Sequence, residues 1–125
     1  MTAPLCPSED WEQSRFVEWL DENGYMFTAI PNSTYTRSWS QKAKNKRNGL
    51  RGGLPDLAII LKAQRVCWVE MKKTKGGIVS PKQKAWIAAL NESGTPAATC
   101  KGAEEAKAFI LVQEKLALVL GATHN

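Results

Sequence analysis

Asp56, Glu70 and Lys72 lie in GGLPDLAIILKAQRVCWVEMKK, residues 52–73, and their types and spacing suit chemistry on a charged substrate. Side chains alternate faces along a strand, so in VCWVEMK (66–72) Glu70 and Lys72 project the same way, about 6.6 to 7 Å apart. Cys67, Val69 and Met71 form the opposite, apolar face. In LPDLAIIL (54–61), Leu57, Ile59 and Leu61 face a core while Asp56 leads the other side. Pairing the two runs through the turn KAQR, counted outward from Leu61 and Val66, sets Asp56 near Lys72. Glu70 is then its diagonal neighbour, within about 7–8 Å. Two carboxylates so placed could share one Mg²⁺, which prefers oxygen ligands and keeps several waters. A phosphodiester oxygen could replace one of those waters, and the ion would offset transition-state charge and acidify a bound water. Lys72 could position the attacking water or stabilise developing charge. An isolated E-x-K triplet is more often a weak surface ion pair. Here Pro55-Asp56 precedes it by one hairpin, and residues 23–91 hold no other acid.

The elements that must position these groups are legible in the chain. Residues 9–22 place Trp11, Phe16, Trp19 and Leu20 at helical spacing, with Ser8 as N-cap and Asn23-Gly24 as the stop. YMFTAI (25–30) reads as a strand ended by Pro31-Asn32. Residues 33–53 form a long polar loop with room for one short helix. The hairpin 54–72 follows, then a helix over 81–93, a strand over 95–101 and a final apolar-rich helix over 103–120. The order α-β-β-β-α-β-α predicts an α/β domain with a mixed sheet between helices. With no repeat and no linker, residues 1–125 read as a single domain with its core over about 9–112 and a basic loop over 33–53.

Charge narrows the partner. The net charge is +5, but residues 1–22 carry six acids and one base, whereas residues 23–91 carry thirteen bases and two acids. A basic stretch is usually a solvated face. One covering more than half the chain points instead to a polyanion. Nucleic acid is favoured over a membrane surface, because no basic amphipathic helix with a large apolar face occurs there. No apolar run approaches the roughly 20 residues that span a bilayer, and the first ten residues do not form a secretory signal. The expected location is the cytoplasm. Cys6, Cys67 and Cys100 show no zinc-ligand spacing and read as reduced thiols. Arg37, Lys42, Lys44, Lys46, Arg47, Arg51 and Lys73 are the candidate DNA contacts, led by Arg47 and Arg51. Tyr35 and Trp39 could stack on bases, although loop aromatics more often simply pack.

The pattern Gly53-x-Pro55-Asp56 followed by Glu70-x-Lys72 resembles the PD-(D/E)xK nucleases, and within them the small VRR-NUC group. IVSPKQKAW (78–86), the acidic first helix with Glu12-Gln13, Ile30-Pro31-Asn32 and GLRGGLPDL (49–57) follow the same order, so the likeness spans roughly residues 9–112. It implies a restriction-endonuclease-like α/β/α core and Mg²⁺- or Mn²⁺-dependent phosphodiester hydrolysis. Carried over, Asp56, Glu70 and the backbone carbonyl of Met71 would be metal ligands and Lys72 the catalytic lysine. Glu12 would be the helix-borne acid completing the site, with Glu9 a weaker candidate, and Gln83 would lie near it. Local structure offers other accounts of two of these. Ser80-Pro81-Lys82-Gln83 is a capping box, and an acid in a first helical turn suits the helix dipole. His124 reads as tail rather than a general base.

Three readings follow. The first is a metal-dependent DNA endonuclease. The second is a nucleic-acid-binding module on a nuclease fold without its own cleavage activity, against which stands the presence of Asp56, Glu70 and Lys72. The third is an enzyme on the same fold with a non-nucleic substrate, which leaves the acid-free loop unexplained. Phosphate contacts position a duplex without reading its sequence, so structure-selective cleavage of branched, junction or flap DNA is expected. The resemblance points the same way, toward phage or bacterial stand-alone proteins. Symmetric double cuts would suit a homodimer. The apolar residues of the last helix could form its interface, but core packing accounts for any one of them more readily.

Overall fold

The computed structural model describes residues 5–31 and 38–123. Asn32, Tyr35, Arg37 and His124 lie outside the described residues. The elements are α1 (Glu9–Glu22), β1 (Met26–Ala29), α2 (Trp39–Arg47), β2 (Leu57–Ile60), β3 (Val66–Lys72), α3 (Pro81–Glu92), β4 (Ala97–Lys101) and α4 (Ala103–Thr123).

The strands form one sheet in the order β1-β2-β3-β4. β1, β2 and β3 run antiparallel, and β4 lies parallel to β3. A parallel neighbour needs a crossover, which α3 supplies. The fold is thus α/β with a mixed sheet, and the hairpin, both outer helices and α3 fall where periodicity placed them.

Alternation along β2 and β3 builds the core. Leu57, Ile59, Cys67, Val69 and Met71 are fully buried against Phe16 and Leu20 of α1 and Ala106 and Ile110 of α4. Phe16 and Leu20 lie one turn apart, so α1 presents a narrow apolar stripe. The third member of that stripe is Glu12, which is also buried. α3 packs against β4, and Asn91 joins the two by accepting from and donating to Ala97.

One expectation is met and one changes. The short helix for which the basic loop had room is α2, nine residues long, capped by Ser38 and without a single buried residue. The last helix is not chiefly core: Val112, Leu116, Val119 and Leu120 are each about half exposed or more, whereas Ile110 is fully buried. A 21-residue helix outruns the sheet it packs on, so its far turns project beyond the core. Cys67 and Cys100 are buried free thiols pushed up to about 12, first by burial, and Cys6 is exposed.

Candidate active site

The β2–β3 ladder pairs Ile60 with Val66 and Leu57 with Val69. One step outward, this register sets Asp56 opposite Glu70 rather than near Lys72. The sequence count failed because the turn closes on the Leu61–Arg65 pair, with the Leu61 amide donating to Arg65 O at 2.7 Å. The shift brings the carboxylates closer than expected. Asp56 Oδ2 accepts the Met71 amide N–H at 2.7 Å, which orients its carboxylate at the mouth of the hairpin. Met71 therefore touches the site through its amide.

Glu70 is almost wholly buried. Its Oε2 accepts from Gln83 Nε2 at 3.0 Å and lies 3.7 Å from Lys72 Nζ. Its Oε1 is buried and finds no donor among the described residues. The side chain is pushed up to about 8, first by burial and then by the Asp56 carboxylate, while Lys72 pulls it down. A buried acceptor without a donor is costly unless something cationic meets it.

A third carboxylate comes from α1. Oxygen atoms of Glu9, Asp56 and Glu70 lie within 4.8 Å of one another. Partial burial raises Glu9 from its ordinary value, Lys72 opposes that shift, and Asp56 reinforces it. Three oxygen donors, one of them orphaned in the interior, match what a hard divalent cation requires. The residues present fit such an ion.

Glu12, expected from sequence as the helix-borne acid, is not in the carboxylate cluster but is bonded to the start of α4. Its Oε1 accepts the Ala103 amide N–H at 2.9 Å, satisfying the first turn of α4. Glu9 lies one turn earlier on α1 and is the member of that helix that joins Asp56 and Glu70. The two are three residues apart on a helix, so spacing alone ranks neither above the other.

Gln83 caps its own helix and also reaches the Glu70 carboxylate. Its Oε1 accepts the Ser80 amide at 2.9 Å, and its own amide donates to Ser80 Oγ at 3.2 Å, completing the capping box. Its Nε2 then serves Glu70. Gly53 holds this helix end close to the hairpin. Its φ is +91°, and a Cβ there would meet Lys82 Cβ at 2.8 Å.

The basic residues divide by position. Lys42, Lys46 and Arg51 line a cleft between α2 and the start of α3, joined by Lys82, which the sequence reading did not single out. Lys44 and Arg47 lie on α2, exposed, and Lys73 follows β3, also exposed. Trp39 is 82% exposed at the start of α2, with Lys42 Nζ 4.8 Å from its ring centroid.

The model of the VRR-NUC domain matches residues 7–104. A solved structure described as a VRR_NUC domain protein superposes with a TM-score of 0.64 at 24% identity, covering 86% of this chain and 87% of its own. No curated protein matches the chain.

Proposed function

The chain belongs to the VRR-NUC domain family, with its nuclease-like fold, and on that premise we propose that it is a divalent-metal-dependent DNA endonuclease acting on branched, junction or flap DNA. The observation that carries this reading is the convergence of Glu9, Asp56 and Glu70 within 4.8 Å, beside Lys72, in a stretch otherwise rich in bases.

Glu9, Asp56, Glu70 and the Met71 carbonyl are the proposed ligands of Mg²⁺ or Mn²⁺. When bound, such an ion offsets phosphoryl charge and acidifies a coordinated water. The chain's own groups do the rest. The Met71 amide and Gln83 Nε2 fix the Asp56 and Glu70 carboxylates in rotation. Lys72 orients the attacking water or stabilises the charge that develops on the phosphate. Its side chain is only 10% exposed and its ammonium is paired with Glu70, so it reaches the site with little rotamer freedom to lose. Lys42, Lys44, Lys46, Arg47, Arg51 and Lys73 hold the backbone without reading bases.

The same reading takes residues 1–125 as one domain working on DNA in the cytoplasm. Among the described residues, no helix is long and apolar enough to cross a membrane. Paired cuts would use a homodimer, and the exposed apolar side of α4 is the surface we propose for it.

The test incubates the protein with labelled four-way junction, flap, single-stranded and linear duplex DNA in Mg²⁺, Mn²⁺ or EDTA, beside Lys72→Ala. Metal-dependent cutting absent from the variant supports the proposal and ranks the substrates. Binding without cutting under every metal leaves a DNA-binding module in its place.

A further inference from the structure

The cleft between α2 and α3 has two halves that share Arg51, Gly52 and Lys82. One half, about 370 Å³, is lined by cations: Lys42 and Lys46 from α2 with Arg51 and Lys82. The other, about 290 Å³, is walled by Ala85 and Trp86 of α3. No acid lines either half. The Trp86 ring is pinned, its Nε1 donating to Gly52 O at 3.1 Å, so its one polar atom is already spent. What it offers the cleft is apolar aromatic surface.

The cleft adjoins the carboxylates. Gly53 rests on Lys82 and on the Gln83 amide, and Gln83 donates to Glu70. Asp56 follows Gly53 by three residues. An anion beside Arg51 and Lys82 therefore neighbours the point where a phosphodiester would be cut.

Helix α2 is positioned to meet a ligand of this kind. It has no buried residue, and its last turn carries Lys44, Lys46 and Arg47. Basic residues there suit the dipole, but no packing against the core holds the helix. A polyanion in the cleft would neutralise the crowding of positive charge.

We infer that this cleft is a nucleotide subsite that takes one unpaired nucleotide of the DNA substrate, its phosphate on Lys42, Lys46, Arg51 and Lys82 and its base against Trp86. Phosphate contacts are blind to pairing, but an aromatic wall beside them accepts only a base freed from its stack. A duplex that is paired throughout offers no such base without first unstacking one. The inference rests on the proposed action on DNA and supplies the physical basis of its structure selectivity.

The experiment measures binding in EDTA, where cleavage is irrelevant. The probes are flap DNAs carrying 2-aminopurine at successive unpaired positions next to the branch, with a fully paired duplex of the same sequence. The wild-type protein is expected to change the fluorescence at one position. Trp86→Ala is expected to abolish that change and weaken flap binding roughly 5- to 100-fold while leaving duplex binding within about twofold. Trp86→Phe, which keeps a ring but loses the bond to Gly52, should retain most of the flap preference and guards against mere misfolding. Arg51→Ala and Lys82→Ala, both at exposed positions, should each lower the slope of log affinity against log salt by about 0.7 to 0.9 on flap DNA. The inference is overturned if no position responds, if the response survives Trp86→Ala, or if Trp86→Ala weakens duplex and flap binding equally. Selective binding without any cleavage in Mg²⁺ or Mn²⁺ would instead sink only the nuclease reading.

Discussion

The Glu12 carboxylate on α1 accepts the Ala103 amide N–H at the start of α4, at 2.9 Å and between buried residues. The neighbouring Gly102 amide donates to Lys72 O at 2.8 Å. One corner of the chain thus ties α1 to the end of the strand that carries Glu70 and Lys72. Glu9, one turn before Glu12, is brought to Asp56 and Glu70 by that tie.

Removing the tie has a predictable effect. Glu12→Ala leaves the Ala103 N–H buried without an acceptor, a loss of about 1–3 kcal/mol. Glu12→Gln keeps an oxygen in place and should recover most of the stability. If cleavage tracks stability across this pair, Glu12 acts by position. Abolished cleavage in a stably folded Glu12→Gln would show that its charge is needed directly. Chemical denaturation and single-turnover rates decide between them.

Metal binding and catalysis should separate by residue. Glu9→Gln, Asp56→Asn and Glu70→Gln are each expected to weaken Mn²⁺ binding at least tenfold by calorimetry. Lys72→Ala should bind Mn²⁺ near the wild-type level yet lose roughly 10²- to 10⁴-fold in cleavage rate, the range of a positioned proton-handling group. Undiminished Mn²⁺ affinity in Glu9→Gln would remove Glu9 from the ligand set.

Stability without metal should depend on pH with a definite sign. Glu70 is pushed up to about 8 in the folded chain, from an ordinary value of 4.5. Between those values the folded state binds more protons than the unfolded state, so stability falls as pH rises. The contribution is fully present below about 4.5 and is lost on passing about 8. Saturating Mg²⁺ or Mn²⁺ should flatten the slope, because cation binding displaces the same proton. Thermal melts from pH 5 to pH 8.5, with chelator and with metal, read it out, and Glu70→Gln should show the flattened profile without metal.

Gln83 should be more sensitive to charge than to size. Gln83→Ala removes the side-chain half of the capping box and a donor to Glu70, with an expected loss of about 1 kcal/mol. Gln83→Glu keeps an acceptor for Ser80 but sets a fourth carboxylate beside the other three. It should weaken the chelator-treated protein at high pH more than Gln83→Ala does, and a comparison of melts at pH 6 and pH 8 tests the order.

Gly102 admits no side chain. Its φ is +92°, and a Cβ would meet Thr74 Cγ2 at 2.7 Å and Glu12 Oε1 at 3.4 Å. Gly102→Ala is therefore expected to lower the melting temperature by several degrees and to reduce Mn²⁺ affinity, through displacement of α1. A variant that melts and binds Mn²⁺ like the wild type would show that the corner can relax without moving Glu9.

Local rules read along the chain placed most of the elements and singled out the candidate residues on them. Ser8, Ser80 and the apolar spacing set α1 and α3, because caps and periodicity act over a few residues. Alternation placed Glu70 and Lys72 on one face of β3, since the strand period is two. The acid-free surroundings of Asp56 and Glu70 singled them out, as charge can be counted without coordinates. Where distant groups meet was set by how the elements pack. The closing pair of one turn moved Asp56 from near Lys72, with Glu70 on the diagonal, to directly opposite Glu70, because register is set by pairing rather than by composition. The choice between Glu9 and Glu12 depended on how α1 crosses β3 and α4, which no local rule encodes. Gln83 showed its capping role in sequence, but its bond to Glu70 required α3 to be carried back over the sheet. The wall of Trp86 beside Arg51 and Lys82 came from the same crossover, which brings Trp86 to Gly52, 34 positions earlier, in one cleft.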